Sequence, residues 1–210
     1  MQIIEPQVAL LTPSTEHYAQ MLPIIEQAGR TCYKSELSRH IDEQEDFIER
    51  LIKSGHESVI EHMSCSFQII CSRSCSHQIV RHRLASYSQE SQRYCNYSKG
   101  KFNNEVTYVV PNVDEVNLVL FQALQDAEKY YFELLKQGFN PDEARAVLPN
   151  ATRTEIVMTA NMREWRHFLK LRLSKHASRE IRFIAREILK LLDKYYPIFV
   201  ADMRREIAWD

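Results

Sequence analysis

Four glycines in 210 residues, Gly29, Gly55, Gly100 and Gly138, exclude any fold that grips a nucleotide with a glycine-rich loop. GxGxxG and GxxxxGK(S/T) both need closely spaced glycines so that backbone amides can approach phosphate oxygens, and neither can be assembled here. Any phosphate this chain binds is therefore held by side chains and helix ends. The segment 81–94, RHRLASYSQESQRY, supplies candidates, because Arg81 and Arg83 flank His82 and Arg93 follows soon after. Planar guanidinium forks take phosphate or carboxylate oxygens in pairs, so a small polyanionic ligand is the first expectation. A lone arginine among serines reads equally well as part of a solvated turn; the clustering favours a site.

A chain of this length with 44% apolar residues can bury a full core, and a single domain spanning 1–210 is expected. A formal charge of -1 argues against a duplex nucleic-acid binder, which needs a broad basic face. The five cysteines, Cys32, Cys65, Cys71, Cys75 and Cys95, are odd in number and form no CxxC pair, and no apolar leader precedes them. A cytosolic, reduced protein is expected. Cys71 and Cys75 lie near His77, but no second ligand pair stands at zinc-site spacing, so no metal is expected. No apolar run approaches the roughly twenty residues of a membrane helix, so no membrane partner is expected either.

Residues 7–11 read as a short opening strand. After Thr12-Pro13-Ser14-Thr15, the residues Tyr18, Met21, Leu22 and Ile25 share one face of a helix that should stop near Gly29. Phe47, Ile48, Leu51 and Ile52 mark a second helix, closed by Gly55. Over 63–71 the odd positions Met63, Cys65, Phe67, Ile69 and Cys71 are apolar while Ser64, Ser66 and Gln68 are polar, the two-residue period of a strand. A helix over 74–83 is expected next, setting Gln78, Arg81 and His82 on one side. A strand at 106–110 precedes a long helix over 116–137 with a core stripe of Val116, Leu120, Ala123, Ala127, Tyr130 and Leu134. Asn140-Pro141-Asp142-Glu143 opens a short helix carrying Arg145. A strand over 152–160 leads to Asn161, the cap of a helix bearing Trp165, Phe168, Leu169 and Arg172. A last amphipathic helix carries Ile181, Ile184, Ala185, Ile188, Leu191 and Leu192. The expected class is α+β, helices packed around a modest, mainly antiparallel sheet.

His56-Glu57 and Glu61-His62 invite a metalloprotease reading, but HExxH needs histidine at Ile60 and HxxEH needs it at Ser58. No GxSxG elbow and no cysteine-nucleophile signature occur, so the demanding chemistry falls to a cofactor. Arg145, Arg163 and Arg172 stand on helices beside apolar residues, where each either forms a salt bridge or meets an anionic ligand. With Arg81, Arg83 and Arg93 they suffice for two phosphorylated ligands.

Arg81-His82-Arg83, seven intervening residues, Ser91 and then Arg93-Tyr94 resemble the signature of the flavin-dependent thymidylate synthases. Further stretches are similar in the same order: Arg30-Thr31-Cys32-Tyr33, Gly55-His56-Glu57-Ser58 with Glu61-His62, Ala144-Arg145-Ala146-Val147-Leu148-Pro149, Asn161-Met162-Arg163, and Leu171-Arg172 with His176-Ala177. The resemblance implies an FAD-dependent methyltransferase that converts dUMP to dTMP, with 5,10-methylenetetrahydrofolate as carbon donor and NADPH as reductant. It also implies a cytoplasmic homotetramer with sites where subunits meet. Position by position, His56, Arg81, His82, Arg83, Asn161, Arg163 and His167 resemble FAD-contacting residues. Gln78, Arg81, Gln89, Glu90, Ser91, Arg93, Arg145 and Arg172 resemble those around the nucleotide. Arg83 suits either ligand, and His176 suits folate contact or support. Arg93 and Arg145 are the expected phosphate ligands. Arg172 and Ser91 are the catalytic choices: Arg172 beside the uracil carbonyls, where positive charge stabilises electron density building on the ring, and Ser91 as a positioning hydroxyl. Two other classes compete with this reading. One is an RNA-binding module stacking bases on 81–97, and the other is a purely structural oligomer whose arginines form intersubunit ion pairs.

Overall fold

The computed structural model describes residues 1–12, 15–36 and 40–208, so Pro13 and Ser14 of the expected Thr-Pro-Ser-Thr turn lie outside the described residues. The elements are β1 (Gln2–Ile4), β2 (Gln7–Leu10), α1 (Thr15–Tyr33), α2 (Ile41–Lys53), β3 (Ser64–Ser72), α3 (Arg73–Ile79) and β4 (Ala85–Gln89). They continue with β5 (Thr107–Val109), α4 (Leu118–Lys136), α5 (Pro141–Ala144), β6 (Arg153–Asn161), α6 (Met162–Arg172) and α7 (Arg179–Tyr195), with short 3-10 turns between. The class is α+β: one sheet has the order β2-β3-β6-β4 and is mainly antiparallel, and β1 pairs with β5 in parallel. The strand reading over 63–71 holds because its alternation is real, with Cys65, Phe67, Ile69 and Cys71 buried and the residues between them half-buried.

The chain forms two compact units. Unit 1 comprises Met1–Gln7, Ile69–Arg81 and Tyr87–Val157; unit 2 comprises Val8–Gln68, His82–Ser86 and Met158–Asp210. Unit 1 is built around Tyr97, Val106, Tyr108, Leu124, Tyr131 and Ala144. At its edge the amino group of Met1 pairs with Glu105 and Glu128 at 3.2 and 3.1 Å. Unit 2 packs α6 against α7 and α1 against α2. Trp165 is fully buried there, edge-on to Phe67 at 4.8 Å, and its indole N–H donates to the carbonyl of Cys65 at 3.1 Å. That bond satisfies the one polar atom of a large apolar side chain.

Three expectations are corrected. First, α1 does not stop at Gly29 but runs to Tyr33. A β-carbon at Gly29 would come within 2.9 Å of both Leu51 and Phe47, so this glycine allows α2 to approach α1 closely and is not a terminator. Gly55 (φ +79°) and Gly138 (φ +95°) do adopt the left-handed conformation that ends a helix. Second, the helix expected over 74–83 ends at Ile79, so Gln78, Arg81 and His82 share no helical face, and Ala85–Gln89 is a strand that was not expected. Third, the core stripe of α4 is rotated by one residue: Leu124 and Tyr131 are buried, while Leu120 is 37% and Tyr130 56% exposed. The first turn of α4, LVLF, is apolar on every side, which makes its periodicity ambiguous.

Candidate active site

Helix α6 organises the chemistry of unit 2. The side-chain oxygen of Asn161 accepts from the Glu164 amide at 2.9 Å, capping the helix as its sequence requires. From there Glu164, Phe168 and Arg172 recur every fourth residue and share one stripe. His82, the middle residue of RHR, lies along that stripe. Its ring is 4.8 Å from that of Phe168, its Nδ1 is 3.0 Å from a Glu164 carboxylate oxygen, and its Nε2 is 3.0 Å from Arg172 Nε. Arginine Nε–H can only donate, so Nε2 is the acceptor and the ring proton resides on Nδ1, donated to Glu164. Burial holds the His82 pKa below its ordinary value; Arg172 and His167 push the same way, against the upward pull of Glu164. A neutral imidazole is what this hydrogen-bond pattern needs.

Beside this stripe lies an open cleft of about 740 Å³, lined by Glu57, Glu61, Leu84, Asn161, Arg163, Glu164, His167 and Lys170. Arg163 pairs with Glu61, and Lys170 donates to Glu57 at 3.0 Å. Burial pushes the Glu57 carboxyl up, but Lys170 and Arg166 together hold it below the usual carboxylate range. The lining thus combines two cations already paired with acids, a third acid in Glu164, an amide and an imidazole that can meet ring edges, and the 76% exposed Leu84 as an apolar surface, so an anionic ligand entering here would exchange with Glu57 and Glu61 for Lys170 and Arg163. Ligand atoms of His82, Glu164 and His167 lie within 4.8 Å of one another, the spacing of a metal site. A cation on His82 would displace its hydrogen bond to Arg172, since either ring nitrogen so used leaves Nε2 unable to accept, and would sit beside a permanent guanidinium charge, so the geometry favours the hydrogen-bonded chain.

In unit 1 the expected phosphate arginines converge on one carboxylate. Asp142 receives Arg145 Nη2 at 2.6 Å and has Arg93 Nε at 3.6 Å, with its own side chain 44% exposed. The capping box of Asn140 and Glu143 fixes the turn that carries Asp142, and Arg145 stands at the end of α5, where a 3-10 turn begins. Glu90 is committed within the unit, accepting from Tyr97 at 3.0 Å and pairing with Arg153 at 2.6 Å. The Gln89 amide donates to the hydroxyls of Ser76 at 3.0 Å and Thr154 at 3.1 Å. Ser91 is half-buried, and its carbonyl accepts the amides of Tyr94 and Cys95.

Residues 15–198 match the family described as thymidylate synthase complementing protein. The chain belongs to that family. It is 40% identical over 206 residues to the flavin-dependent thymidylate synthase of Mycobacterium avium, covering 88% of this chain and 80% of the relative. It is 41% identical over 201 residues to the enzyme of the same name from Mycolicibacterium gilvum, covering 85% and 78%. In fold it is similar to a UMP/dUMP methylase, PolB of Streptomyces cacaoi, solved with 5-Br dUMP: TM-score 0.78, 22% identity and 95% of each chain covered.

Against this family background the motif residues divide between the units. His56, His82, Arg83, Asn161, Arg163, His167, Arg172 and His176 fall in unit 2; Gln78, Arg81, Gln89, Glu90, Ser91, Arg93 and Arg145 fall in unit 1. Asn161, Arg163 and His167 come together in the cleft, and His82 meets Arg172 directly. His56 is exposed at the start of a 3-10 turn next to the cleft residue Glu57, and Arg81 and Arg83 are exposed on either side of buried His82. Half-buried Gln78 lies on α3, and exposed His176 lies in the loop after α6. Sequence reasoning missed Glu164, Asp142 and Arg166. Arg166 is 2% exposed, clamps both oxygens of Asp202 at 2.7 and 2.8 Å and also binds Glu57. The four-residue recurrence of Glu164, Phe168 and Arg172 was the available signal, but nothing in it named His82 as the bridging group.

Proposed function

We propose that this chain is a flavin-dependent thymidylate synthase that converts dUMP to dTMP, using 5,10-methylenetetrahydrofolate as carbon donor, FAD as bound cofactor and NADPH as reductant. The observation that carries the reading is the hydrogen bond joining His82 of the RHR motif to Arg172, across 90 residues of sequence. Two stretches that resemble the family signature separately thus touch in space, which supports reading them as parts of one site. When bound, FAD supplies the hydride chemistry that no protein side chain offers.

The chain's own residues bind and orient. Asn161, Arg163 and His167, together with His56, Arg81, His82 and Arg83, are assigned to FAD. Arg93 and Arg145 take the nucleotide phosphate, since two forks already sharing one carboxylate suit its oxygens. Ser91, Gln78, Gln89 and Glu90 are assigned to positioning the nucleotide, Gln89 and Glu90 being themselves fixed by the bonds they make within unit 1. Arg172 polarises a uracil carbonyl, drawing electron density from the ring as C5 accepts the one-carbon unit.

A homotetramer with sites at subunit interfaces completes the proposal, and the chain is read as one functional domain over 1–210. Leu118 and Val119 on α4 are 86% and 80% exposed, an apolar surface that association would cover. No helix among the described residues is long and apolar enough to cross a membrane, and we place the enzyme in the cytoplasm. The test is turnover of deoxyuridylate to thymidylate by purified protein, with and without added FAD, alongside the absorbance spectrum. Flavin absorbance and FAD-dependent turnover are expected. Absence of both, with steeply salt-dependent binding of single-stranded RNA, would overturn the assignment.

A further inference from the structure

Glu164 belongs to none of the motifs that resemble the family signature, yet it is one of the buried acids of unit 2. It is 6% exposed, in the first turn of α6, where the helix dipole favours a negative group, and its amide is held by the Asn161 cap. Its carboxylate faces His82 Nδ1, and the other nitrogen of that ring faces Arg172. Glu164 and Arg172 are two turns apart, roughly 12 Å of helix rise at about 1.5 Å per residue, so the imidazole is the link between them.

We propose that Glu164 is a positioning residue: by accepting the Nδ1 proton of His82 it fixes the tautomer whose Nε2 accepts from Arg172, and so holds the Arg172 guanidinium in its working orientation. The chemistry is directional. Without the carboxylate, His82 is free to carry its proton on Nε2, which then meets the Arg172 Nε–H donor to donor and drives the guanidinium away. With the carboxylate, the guanidinium plane is set through its inner nitrogen. The neutral imidazole orients Arg172 without cancelling its charge, as a carboxylate in direct contact would. Phe168 at 4.8 Å and His167 at 5.7 Å confine the ring, so the choice of tautomer is the remaining freedom.

This inference rests on the proposed role of Arg172 at the pyrimidine, and the experiment separates the two. Histidine ring nitrogens are labelled with nitrogen-15, the His82 signal is identified by its loss in His82→Gln, and spectra are recorded for wild type, Glu164→Ala and Glu164→Gln. Wild type is expected to show a protonated Nδ1 and an unprotonated Nε2. Glu164→Ala is expected to shift the proton to Nε2 and to lower kcat by about 10- to 100-fold, the range for removing a partner that orients a ligating group, with FAD binding retained. Glu164→Gln keeps an acceptor for Nδ1–H and should recover the wild-type tautomer and most of the lost kcat. An unchanged tautomer with wild-type kcat in Glu164→Ala overturns the proposal. So does a Glu164→Gln protein with the proton on Nε2 and undiminished kcat, a result readable even if the alanine variant does not fold. Wild-type turnover by Arg172→Ala would instead overturn the parent reading, while the tautomer measurement would still report whether Glu164 governs His82.

Discussion

Arg172 and Arg145 each stand at the end of a helix, but the groups seen to hold them differ in kind. Arg172 is held by a buried, neutral imidazole at 3.0 Å, with the compensating carboxylate one ring further away. Arg145 is held at 2.6 Å by the Asp142 carboxylate, which is 44% exposed and shared with Arg93. The first contact fixes direction without itself neutralising the charge. The second neutralises charge and is screened by salt, because exposed ion pairs are weak and Debye lengths are short at physiological ionic strength. An arginine acting on developing charge in a transition state benefits from the first setting. An arginine that catches and releases a phosphate benefits from the second, since a weakly held carboxylate is easily exchanged for a stronger anion.

The sharpest way to break this comparison is to remove Arg172. Arg172→Ala should lower kcat by about 100-fold or more, the usual scale for losing one donor aimed at transition-state charge, while the flavin absorbance of the purified protein persists. Equal losses of turnover and bound flavin would place Arg172 at the cofactor and erase the contrast. Arg145→Ala should act differently, raising the KM for dUMP by about tenfold with a smaller change in kcat, because it removes binding common to ground and transition states. A drop confined to kcat would mean that the two arginines work alike.

The contrast between the two arginines also marks what the sequence could disclose. Strands and helices with clean periodicity were legible: the alternation over 63–71, the Asn161 cap and the proline-led turn before Arg145 each follow from local rules. Where local signals conflicted, tertiary packing decided. Gly29 reads as a helix stop until Phe47 and Leu51 of α2 are seen to occupy the space of its absent side chain. The LVLF start of α4 gives no unique apolar face, so its buried side was misassigned. The site followed the same pattern. Arginines and the RHR motif were visible as residue types, whereas Glu164 and Asp142 act through partners at sequence separations no spacing rule reaches, 82 residues in the case of Glu164 and His82.

A pH series tests the buried half of the comparison. The folded His82 pKa lies below its ordinary value near 6.5, so as pH falls the unfolded chain binds a proton before the folded one does. Stability contributed at this site is therefore present at neutral pH, declines as pH drops through the ordinary histidine range, and levels off once the folded ring is protonated too. The denaturation midpoint should fall between about pH 7 and pH 5, with a shallower slope in His82→Gln. Turnover should fall at lower pH than stability begins to, where the folded ring itself takes up a proton on Nε2 and loses the Arg172 hydrogen bond. Identical slopes in wild type and His82→Gln would show that the ring is not held neutral by its surroundings.

The smallest expected effect belongs to the exposed half. Asp142→Asn keeps the size of the side chain and its carbonyl acceptor but removes the charge that Arg93 and Arg145 share. If a nucleotide phosphate exchanges with this carboxylate, the variant should bind dUMP more tightly, lowering KM by about two- to threefold at low ionic strength, with the advantage fading as salt screens the freed cations. If the carboxylate instead serves to hold the two guanidiniums in a ready pair, KM should rise, and rise at every salt concentration, since orientation is not screened. The sign of the change decides between an anion that is displaced and an anion that organises, and a KM independent of both charge and salt would remove Arg93 and Arg145 from the phosphate altogether.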